Sequence, residues 1–412
     1  MFKALSLAGM LLLILIAGCV SDAKDLDAEY KNVSGDSCDD AVGASNQFAF
    51  DFYSELKDVE GNIFFSPYSI STALAMTYEG ARGETAKEIQ TVFHFPENDS
   101  ARRSSFAAII NQLNSPSAEY RLHTANALWV QEDYPLLDEY IKVVEEYYSG
   151  KATNLDFVEE TEKSRQIINT WVEDKTNDKI KELFKPGSIS GLTRLVITNA
   201  IYFKGTWVKQ FDEEETEEED FRVSPGKTLK VPMMRLTGED ARFNYTENDE
   251  LQVLEMLYEG GDLSMLVLLP KDDDLKTLED SLTLENVDKW RDELTQQRVD
   301  VYIPKFTFTS EYILNDNLRD MGMPLAFDPY EADFSGIDGT MDLFIHLVVH
   351  KAFVEVNEEG TEAAAATGVV VGVTSVPPPA TVFRADHPFI FLILERETGD
   401  ILFLGRVSNP AN

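Results

Sequence analysis

Residues 357–383 read NEEGTEAAAATGVVVGVTSVPPPATVF, and this composition suits neither an ordinary surface loop nor an ordinary core strand. The stretch is too apolar for a loop and too small-sided for a core strand. In an extended chain, alternate side chains point to opposite faces. One face would then be small and uncharged from end to end, and it consists of Thr361, Ala363, Ala365, Thr367, Val369, Val371 and Val373. Such a strand could enter the middle of a sheet beneath packed helices.

The flanks of this stretch favour a different conformation. Gly360 precedes the small-sided run that begins at Thr361, and three prolines at 377–379 follow that run, which suits an exposed, strained loop. The alternative of an alanine-rich helix is disfavoured, because glycines and a valine run have low helix propensity. A long apolar edge strand would be an aggregation hazard. The sequence therefore predicts a segment suited to two states, a loop first and a central strand later.

The amino-acid composition limits the kinds of molecule that this chain can bind. The chain has 412 residues and is 43% hydrophobic, which is enough for one large core or two modest ones. It carries 73 acidic and 36 basic residues, for a net charge of −37. Phosphate backbones and anionic headgroups would be repelled by this surface. We therefore predict no nucleic acid partner, and the acid excess indicates solubility.

The N-terminus has the pattern of a secretion signal. Lys3 precedes an apolar run over 5–16 that is short for a membrane span, and Ile-Ala-Gly-Cys follows at 16–19. This resembles a lipoprotein signal, with residues 1–18 removed and Cys19 lipidated. A plain secretory signal with an incidental cysteine is the alternative. We expect an extracellular protein whose only membrane contact is a lipid anchor on the outer face of the cell membrane.

The segment after this signal is polar. Residues 19–44 are acidic and poor in large apolar groups, so they predict a flexible linker. Cys38 is interpreted as incidental, because two cysteines make no disulfide framework. Residues 45–412 are expected to form one globular domain.

Within this domain, early segments are mainly helical and late segments mainly extended. Ser66 and Pro67 suit the first turn of a helix, and Thr85 with Glu88 has the spacing of a capping box for the next one. Further helices are expected at roughly 137–148, 162–183 and 311–321. Apolar, β-rich runs predict strands at 124–130, 195–207, 263–270, 298–306, 388–395 and 400–407. This order favours the α+β class over alternating βαβ units.

Motifs for catalysis and metal binding are largely missing. There is no Gly-x-Ser-x-Gly elbow and no His-Glu-x-x-His helix. SPGKT at 224–228 ends like a phosphate loop, but Phe221 stands at the position of its leading glycine. The acidic run 212–220 lacks the glycine and spacing of a calcium loop. We predict no enzyme, no metal and no cofactor, although a Ser/His/Asp triad made in space stays open.

Several motifs, in a fixed order, resemble those of the serpins, inhibitors that trap a protease by inserting a cleaved loop into their main sheet. The resemblance runs over nearly all of residues 46–412, and EEGTEAAAAT looks like the hinge of an inhibitory member. The matching motifs are NIFFSPYSISTALAMTYEGARGETAKEI (62–89), NAIYFKGTW (199–207), TEEEDFRV (216–223), KVPMM (230–234), YIPKF (302–306), HKAFVEVNEEGTEAAAAT (350–367), FRADHPFIFLI (383–393) and FLGRVSNP (403–410).

The resemblance implies a fold and a mechanism. Serpins have three β-sheets, about nine helices, a metastable native state and an exposed reactive-centre loop, here about residues 358–382. A target serine protease would cut the loop and stay bound through a covalent acyl bond, while the loop inserts as a strand and carries the protease across the molecule. The expected partner is thus a protease, and the expected state is a monomer without a heparin-type polyanion, since Arg102 and Arg103 are interpreted as ordinary surface.

The resemblance also implies roles for individual residues. The implied hinge is Glu358, Glu359, Gly360, Thr361, Glu362, Ala363, Ala364, Ala365 and Ala366. The implied shutter beneath the parting strands is Ser66, Ser69, Asn199 and His350, and Trp207 would mark the loop entry. Counting from Glu358 places the reactive bond at Thr374–Ser375. Counting back from Phe383 gives a bond nearer Pro377, and cleavage after Val373 or Val371 also stays open.

The bait residues indicate the target class. VVVGVTS offers small, apolar, β-branched side chains without Arg or Lys, which disfavours trypsin-like enzymes. Elastase-like or subtilisin-like serine proteases fit better, with papain-like cysteine proteases as the alternative target. A non-inhibitory serpin is the alternative function. Bulky or charged hinge residues are common in that group, whereas this chain has alanine at 363–366.

Overall fold

The computed structural model describes residues 36–115, 119–271, 275–361 and 380–411, with side chains from residue 41 onward. These residues contain ten α-helices: α1 (Asp36–Leu56), α2 (Pro67–Tyr78), α3 (Gly83–Phe93), α4 (Asp99–Leu113), α5 (Asp138–Tyr148), α6 (Thr161–Lys175), α7 (Leu275–Asp280), α8 (Leu284–Asp292), α9 (Asn315–Asp320) and α10 (Ser335–Asp338). None of the helices in these ranges is long and apolar enough to cross a membrane.

The same ranges contain sixteen strands. They are β1 (Ile63–Phe65), β2 (Arg121–Gln131), β3 (Lys151–Leu155), β4 (Leu195–Thr206), β5 (Glu217–Ser224), β6 (Lys227–Leu236), β7 (Arg242–Glu247), β8 (Leu251–Leu257), β9 (Leu263–Pro270), β10 (Thr295–Pro304), β11 (Phe306–Ile313), β12 (Ile345–Val356), β13 (Gly360–Thr361), β14 (Thr381–Arg384), β15 (Phe389–Glu395) and β16 (Ile401–Val407). The predicted α+β class is confirmed.

Three sheets organise the strands. The main sheet has the order β11-β12-β13-β4-β2-β3. The second sheet has the order β1-β16-β15-β9-β8-β7, and the third joins β14, β10, β6 and β5. Strand β10 belongs to both of the latter, because its first residues pair with β7 and its later residues pair with β6 and β14.

Both faces of the main sheet are covered. On the outer face, Ile168 and Val172 of α6 share a buried cluster with Trp129 of β2, Ala200 of β4 and Val349 of β12. The inner face packs on α2, whose residues are almost all buried, and on the core shared with the second sheet. An added central strand would therefore need small side chains to fit between two packed layers.

Several local expectations hold and others are wrong. Ser66 caps α2 by accepting a hydrogen bond from the Ser69 N–H, with Pro67 in the first turn as predicted. The capping box is wrong: α3 begins at Gly83, and Thr85 and Glu88 instead accept hydrogen bonds from the N–H groups of Asp333 and Leu325. These hydroxyl and carboxylate groups tie α3 to a distant loop.

Three predicted boundaries also change. The helix expected over 162–183 ends at Lys175, and the helix expected over 311–321 is preceded by the end of β11. The flexible linker expected through residue 44 ends earlier, since α1 begins at Asp36. Burial of Ala41 and Val42 in the main core explains why this part of the chain is helical.

Candidate functional site

The start of the predicted loop is already a strand of the main sheet. Gly360 and Thr361 form β13, which pairs antiparallel with both β12 and β4 at one end of their junction. Elsewhere β12 and β4 pair directly with each other in parallel. Of the loop predicted at about residues 358–382, Gly360 and Thr361 lie in β13, and Thr381 and Val382 lie in another strand, β14. The predicted hinge therefore contains a two-residue strand that lies between β12 and β4.

Gly360 is required by the close approach of two backbones. A Cβ atom at this position would lie 2.1 Å from the carbonyl oxygen of Gly205 and 2.8 Å from the Cα of Thr206. Both contacts are with the backbone of β4, which cannot rotate away as a side chain can. Only glycine lets the chain enter the junction at this point.

Thr361 is hydrogen-bonded to one member of a stacked aromatic pair. Its hydroxyl is 2.8 Å from the hydroxyl of Tyr258, and only about 1% of Thr361 is exposed. The ring of Tyr258 stacks on Trp207, with ring centroids 4.4 Å apart and planes 17° from parallel. This packing defines the inner wall at the entry to the junction.

Trp207 also holds the backbone that precedes the hinge. Its ring Nε1–H donates to the carbonyl of Asn357 at 3.0 Å, and its backbone N–H donates to the carbonyl of Glu359 at 2.8 Å. The Phe211 N–H donates to the carbonyl of Glu358, also at 2.8 Å. Trp207 thus lies beside the point where residues 357–361 join the main sheet, and its loop-entry role stays a prediction.

Glu358 is a buried acid with two partners. Its side chain is 3% exposed, one oxygen is 2.7 Å from the Nζ of Lys305, and the other accepts a hydrogen bond from Thr216 at 2.7 Å. Burial opposes ionisation of this carboxyl. The hydrogen bonds from Lys305 and Thr216 nevertheless hold its pKa below the ordinary value. The first hinge acid therefore anchors the start of the loop to the third sheet.

Lower in the junction, polar side chains of neighbouring strands lie directly opposite one another. Asn126 of β2 pairs with Asn199 of β4, and Asn199 pairs with His350 of β12. The Asn199 amide donates to Ser69 Oγ and to Asn126 Oδ1, each at 2.6 Å. The sequence resemblance implied a group of four residues beneath the parting strands. The structure places these four, Ser66, Ser69, Asn199 and His350, in one buried cluster.

His350 is fully buried and neutral. Its Nε2 accepts a hydrogen bond from the Ser66 backbone N–H at 3.1 Å, so the ring proton lies on Nδ1 and is donated to Asn199 Oδ1. Burial lowers the pKa of His350 to about 3. Both ring nitrogens are therefore bonded inside the protein, and His350 links β12 to β4 and to the residue that caps α2.

Two functional residues were missed in the sequence. Asn126 completes the polar row, and its signal was an amide inside the otherwise apolar run TANALWV. Buried polar groups need partners, so an isolated amide in a central strand points to a neighbour across the sheet. Tyr258 lies outside every motif noted above, and no sequence signal predicted its bond to Thr361.

The remaining predicted site residues lie outside the described residues: Glu362, Ala363, Ala364, Ala365, Ala366, Thr374, Ser375 and Cys19. Within the described ranges, no group of three or more His, Cys, Asp or Glu side chains could hold a metal ion.

The interpretation of Arg102 and Arg103 as ordinary surface is wrong for Arg102. Only 1% of this residue is exposed, and its guanidinium lies 2.9 Å from Glu79 Oε1. Arg103 pairs with the other oxygen of Glu79 at 2.7 Å. The buried acid needs both cations, so this pair ties α4 to the end of α2.

Together these features place a two-residue strand at one end of the junction of β4 and β12, with a buried polar cluster further along it. A family model described as Serpin (serine protease inhibitor) matches residues 43–410. The chain therefore belongs to the serpin family, and the predicted serpin fold is confirmed. Serpins are non-enzymatic inhibitors, which agrees with the expectation that this chain is not an enzyme.

Relatives and a solved structure share most of this chain. It is 47% identical over 372 residues to a serpin-like protein of Thermococcus kodakarensis, covering 90% of this chain and 85% of the relative. It is 40% identical over 376 residues to leukocyte elastase inhibitor A of Rattus norvegicus, covering 89% and 98%. The structure of human thyroxine-binding globulin complexed with thyroxine has a TM-score of 0.83 at 31% identity, covering 91% of this chain and 100% of that one.

Proposed function

We propose that this chain inhibits serine proteases as a suicide substrate, by inserting its cleaved loop between β4 and β12. The observation that carries the proposal is β13, since the first loop residues Gly360 and Thr361 are already paired with both strands. A cleaved loop would extend this short strand without a new nucleation step.

The register of β13 predicts where each later residue would lie. Thr361 pairs with Gly205 on β4 and with Val356 on β12, antiparallel to both. Each step along the loop then moves one step back along each strand. By this count Thr367 would reach Asn199 and His350 together, since these two already face each other.

The same count sets the reach of the loop. Val371 would lie opposite Leu195, the first residue of β4. Thr374 would extend beyond the end of the strand by about 10 Å, at roughly 3.3 Å per residue. An acyl bond at Thr374 would therefore be carried past the far edge of the main sheet, together with the attached protease.

Side-chain size supports the insertion. Thr361 points to the inner face, toward Tyr258, so Ala363, Ala365 and Thr367 would follow on that face. The inner face packs on α2, where large or charged side chains would not fit. The small, uncharged face seen in the sequence is the one that would be buried.

The target class follows from the bait residues. Valine at 369–371 and 373 with Thr374 suits the small apolar pockets of elastase-like or subtilisin-like proteases. The 40% identity to a leukocyte elastase inhibitor of rat agrees with this choice. Papain-like cysteine proteases are the alternative target.

Mixing the full chain with pancreatic elastase, and separately with subtilisin, tests the proposal. A denaturing gel should show an adduct, and mass spectrometry should find a released fragment that starts at Ser375. Protease with its active-site serine blocked should give neither product. Cleavage without any adduct, with both enzymes and with papain, would overturn the inhibitory mechanism.

A carrier function is the second candidate, and it is favoured by the similarity to thyroxine-binding globulin. A carrier needs no covalent adduct and no insertion. Absence of the adduct in the gel assay, together with binding of a small apolar ligand, would select the carrier function.

We further propose that the protein acts outside the cell, tethered by lipid on Cys19. The signal-like residues 1–18 and the acidic segment that follows support this location. Metabolic labelling with a radioactive fatty acid should mark the native chain and leave Cys19→Ser unlabelled. Equal labelling of both chains would contradict the anchor.

A further inference from the structure

The segment that follows α6 lies on the outer face of the main sheet, over the junction of β4 and β12. After Thr176, the chain passes through Asn177 and Asp178, whose φ angles are 50° and 61°. The Lys179 N–H donates to the carbonyl of Thr176 at 3.1 Å, and Ile180 is fully buried in the cluster beneath α6. This turn fixes the direction of the Lys179 side chain.

Lys179 lies over two aromatic rings at once. Its Nζ is 5.9 Å from the ring centroid of Tyr202 and 5.3 Å from that of Phe353. Both distances are within the range of cation–π attraction. Tyr202 belongs to β4 and Phe353 to β12, and the two residues are direct partners in the ladder between these strands. One ammonium group therefore touches both sides of the junction that insertion must open.

The segment that carries Lys179 is held to α6 and, at Lys181, to β12. Asn169 of α6 accepts from the Phe184 N–H at 2.8 Å and donates to the Phe184 carbonyl at 2.9 Å. Arg165 also donates to that carbonyl. Lys351 of β12 also donates to the carbonyl of Lys181 at 3.4 Å, so the segment 176–184 is held to both α6 and β12. Separation of β4 from β12 would therefore pull the Tyr202 ring away from the ammonium group.

We propose that Lys179 is a latch across the outer face of the junction, which slows opening of the main sheet until the loop is cut. The latch complements the polar lock formed by Asn199 and His350 on the inner face. Its role in inhibition rests on the proposed function, but its effect on opening of the sheet does not.

Lys151 provides a matched comparison. Its Nζ is 4.7 Å from the ring of Trp129 and 5.5 Å from that of Trp171, so it also lies over two rings. Trp129 belongs to β2 and Trp171 to α6, and neither belongs to β12. Removing the Lys151 charge therefore leaves the contacts of Lys179 across the junction of β4 and β12 in place.

Hydrogen–deuterium exchange of the full chain tests the latch without any protease. In Lys179→Gln, amides of β4 and β12 should exchange faster by about two- to tenfold, the range expected for losing one or two exposed cation–π contacts. Lys179→Arg should restore the slow exchange, and Lys151→Gln should match the original protein in these strands. Strands β9 and β15 of the second sheet should be unchanged in all variants.

Two results would overturn the latch. One is exchange in Lys179→Gln equal to that of the original chain in β4 and β12. The other is an equal increase in β9 and β15, which would mean general destabilisation. Failure of the inhibitory function would be seen separately, as a missing protease adduct with the latch effect intact.

Discussion

Asn199 and His350 bond directly to each other across the junction of β4 and β12, with the imidazole Nδ1–H donating to the amide oxygen. The bond lies at the level where the β13 register would bring Thr367. A strand that enters the junction must therefore replace this bond. The closed sheet is stabilised at the place that insertion has to break.

The neutral state of His350 predicts a dependence of stability on pH. Its pKa is about 3 in the fold, whereas an unfolded histidine titrates near 6.5. Between these values the unfolded chain binds a proton that the folded chain does not. The stabilisation is therefore complete above pH 6.5 and falls by about 1.4 kcal/mol per unit as pH drops toward 3.

Urea midpoints of the original chain and His350→Gln, measured between pH 4 and pH 8, check this dependence. Acidic residues titrate in both chains, so the difference between the two curves isolates His350. The original chain should lose stability more steeply below about pH 6.5. If the curves of urea midpoint against pH run parallel for the two chains, His350 is not held neutral by burial.

Asp400 should act in the opposite direction. Both of its carboxylate oxygens are buried and have no hydrogen-bond partner among the described residues. Burial, and then the nearby charge of Glu395, raises its pKa to about 7. Above pH 7 the ionised group destabilises the fold, and stability is regained as pH falls from 7 toward the unfolded value near 4.

Asp400→Asn is therefore expected to stabilise the protein by about 1–3 kcal/mol at pH 8 and by about a third of that amount at pH 5. Thermal unfolding at the two pH values measures this gain. Glu397→Gln changes an exposed acid in the same turn and serves as the control. A gain at pH 5 equal to that at pH 8 would show that charge is not the cause.

The ion pair of Glu358 and Lys305 should be strongly coupled. Lys305→Met leaves a carboxylate that is 3% exposed without its cation. Because Lys305 itself is partly exposed, we expect a loss of about 1–3 kcal/mol. Glu358→Gln with Lys305→Met should cost less than the sum of the single changes in a double-mutant cycle. Additive losses would mean that the pair contributes no interaction of its own.

Thr361→Arg should separate inhibition from cleavage. The threonine lies inside the sheet and bonds to Tyr258, so an arginine would have to be buried there without a partner or stay outside. Insertion should slow by at least about tenfold, which corresponds to only 1.4 kcal/mol. Elastase or subtilisin should then cleave the variant without forming an adduct. Thr361→Ser keeps the hydroxyl and should inhibit normally, and unchanged inhibition by Thr361→Arg would refute insertion at this register.

Thr374→Arg should redirect the inhibitor toward trypsin-like enzymes, whose pockets bind a cation. The inhibition rate with trypsin should rise and that with elastase should fall, since an elastase pocket is small and apolar. Thr381→Arg places the same side chain in β14, outside the predicted bait, and should leave both rates unchanged. If Thr374→Arg gains nothing against trypsin, the reactive bond lies elsewhere, with Val371, Val373 and the region of Pro377 as the alternatives.

Sequence patterns predicted the elements whose causes are local. The apolar run of β4 and the cap at Ser66 depend on neighbouring residues, so they could be read from the chain. Thr85 and Glu88 show the limit, because their hydrogen bonds go to Asp333 and Leu325, far away in sequence. A capping pattern cannot reveal that a more distant partner competes for the same oxygen atoms.

The candidate site was predictable where it follows a family pattern. Asn199, His350 and Trp207 were found in motifs; the structure bonds the first two to each other and places Trp207 against Asn357. The bond between Thr361 and Tyr258, and the burial of Glu358 against Lys305, depend on how three sheets meet. Tertiary packing of this kind leaves no periodic signal in the sequence.

The most direct test of the account is the thermal stability of the full chain before and after cleavage within residues 362–379. Limited digestion with a metalloprotease, which forms no acyl bond with the loop, would supply the cleaved protein. Insertion adds a strand that is bonded on both sides, so the account predicts a large rise in the melting temperature. In Thr361→Arg this rise should be abolished or much reduced. A cleaved chain that melts at the same or a lower temperature would contradict insertion between β4 and β12.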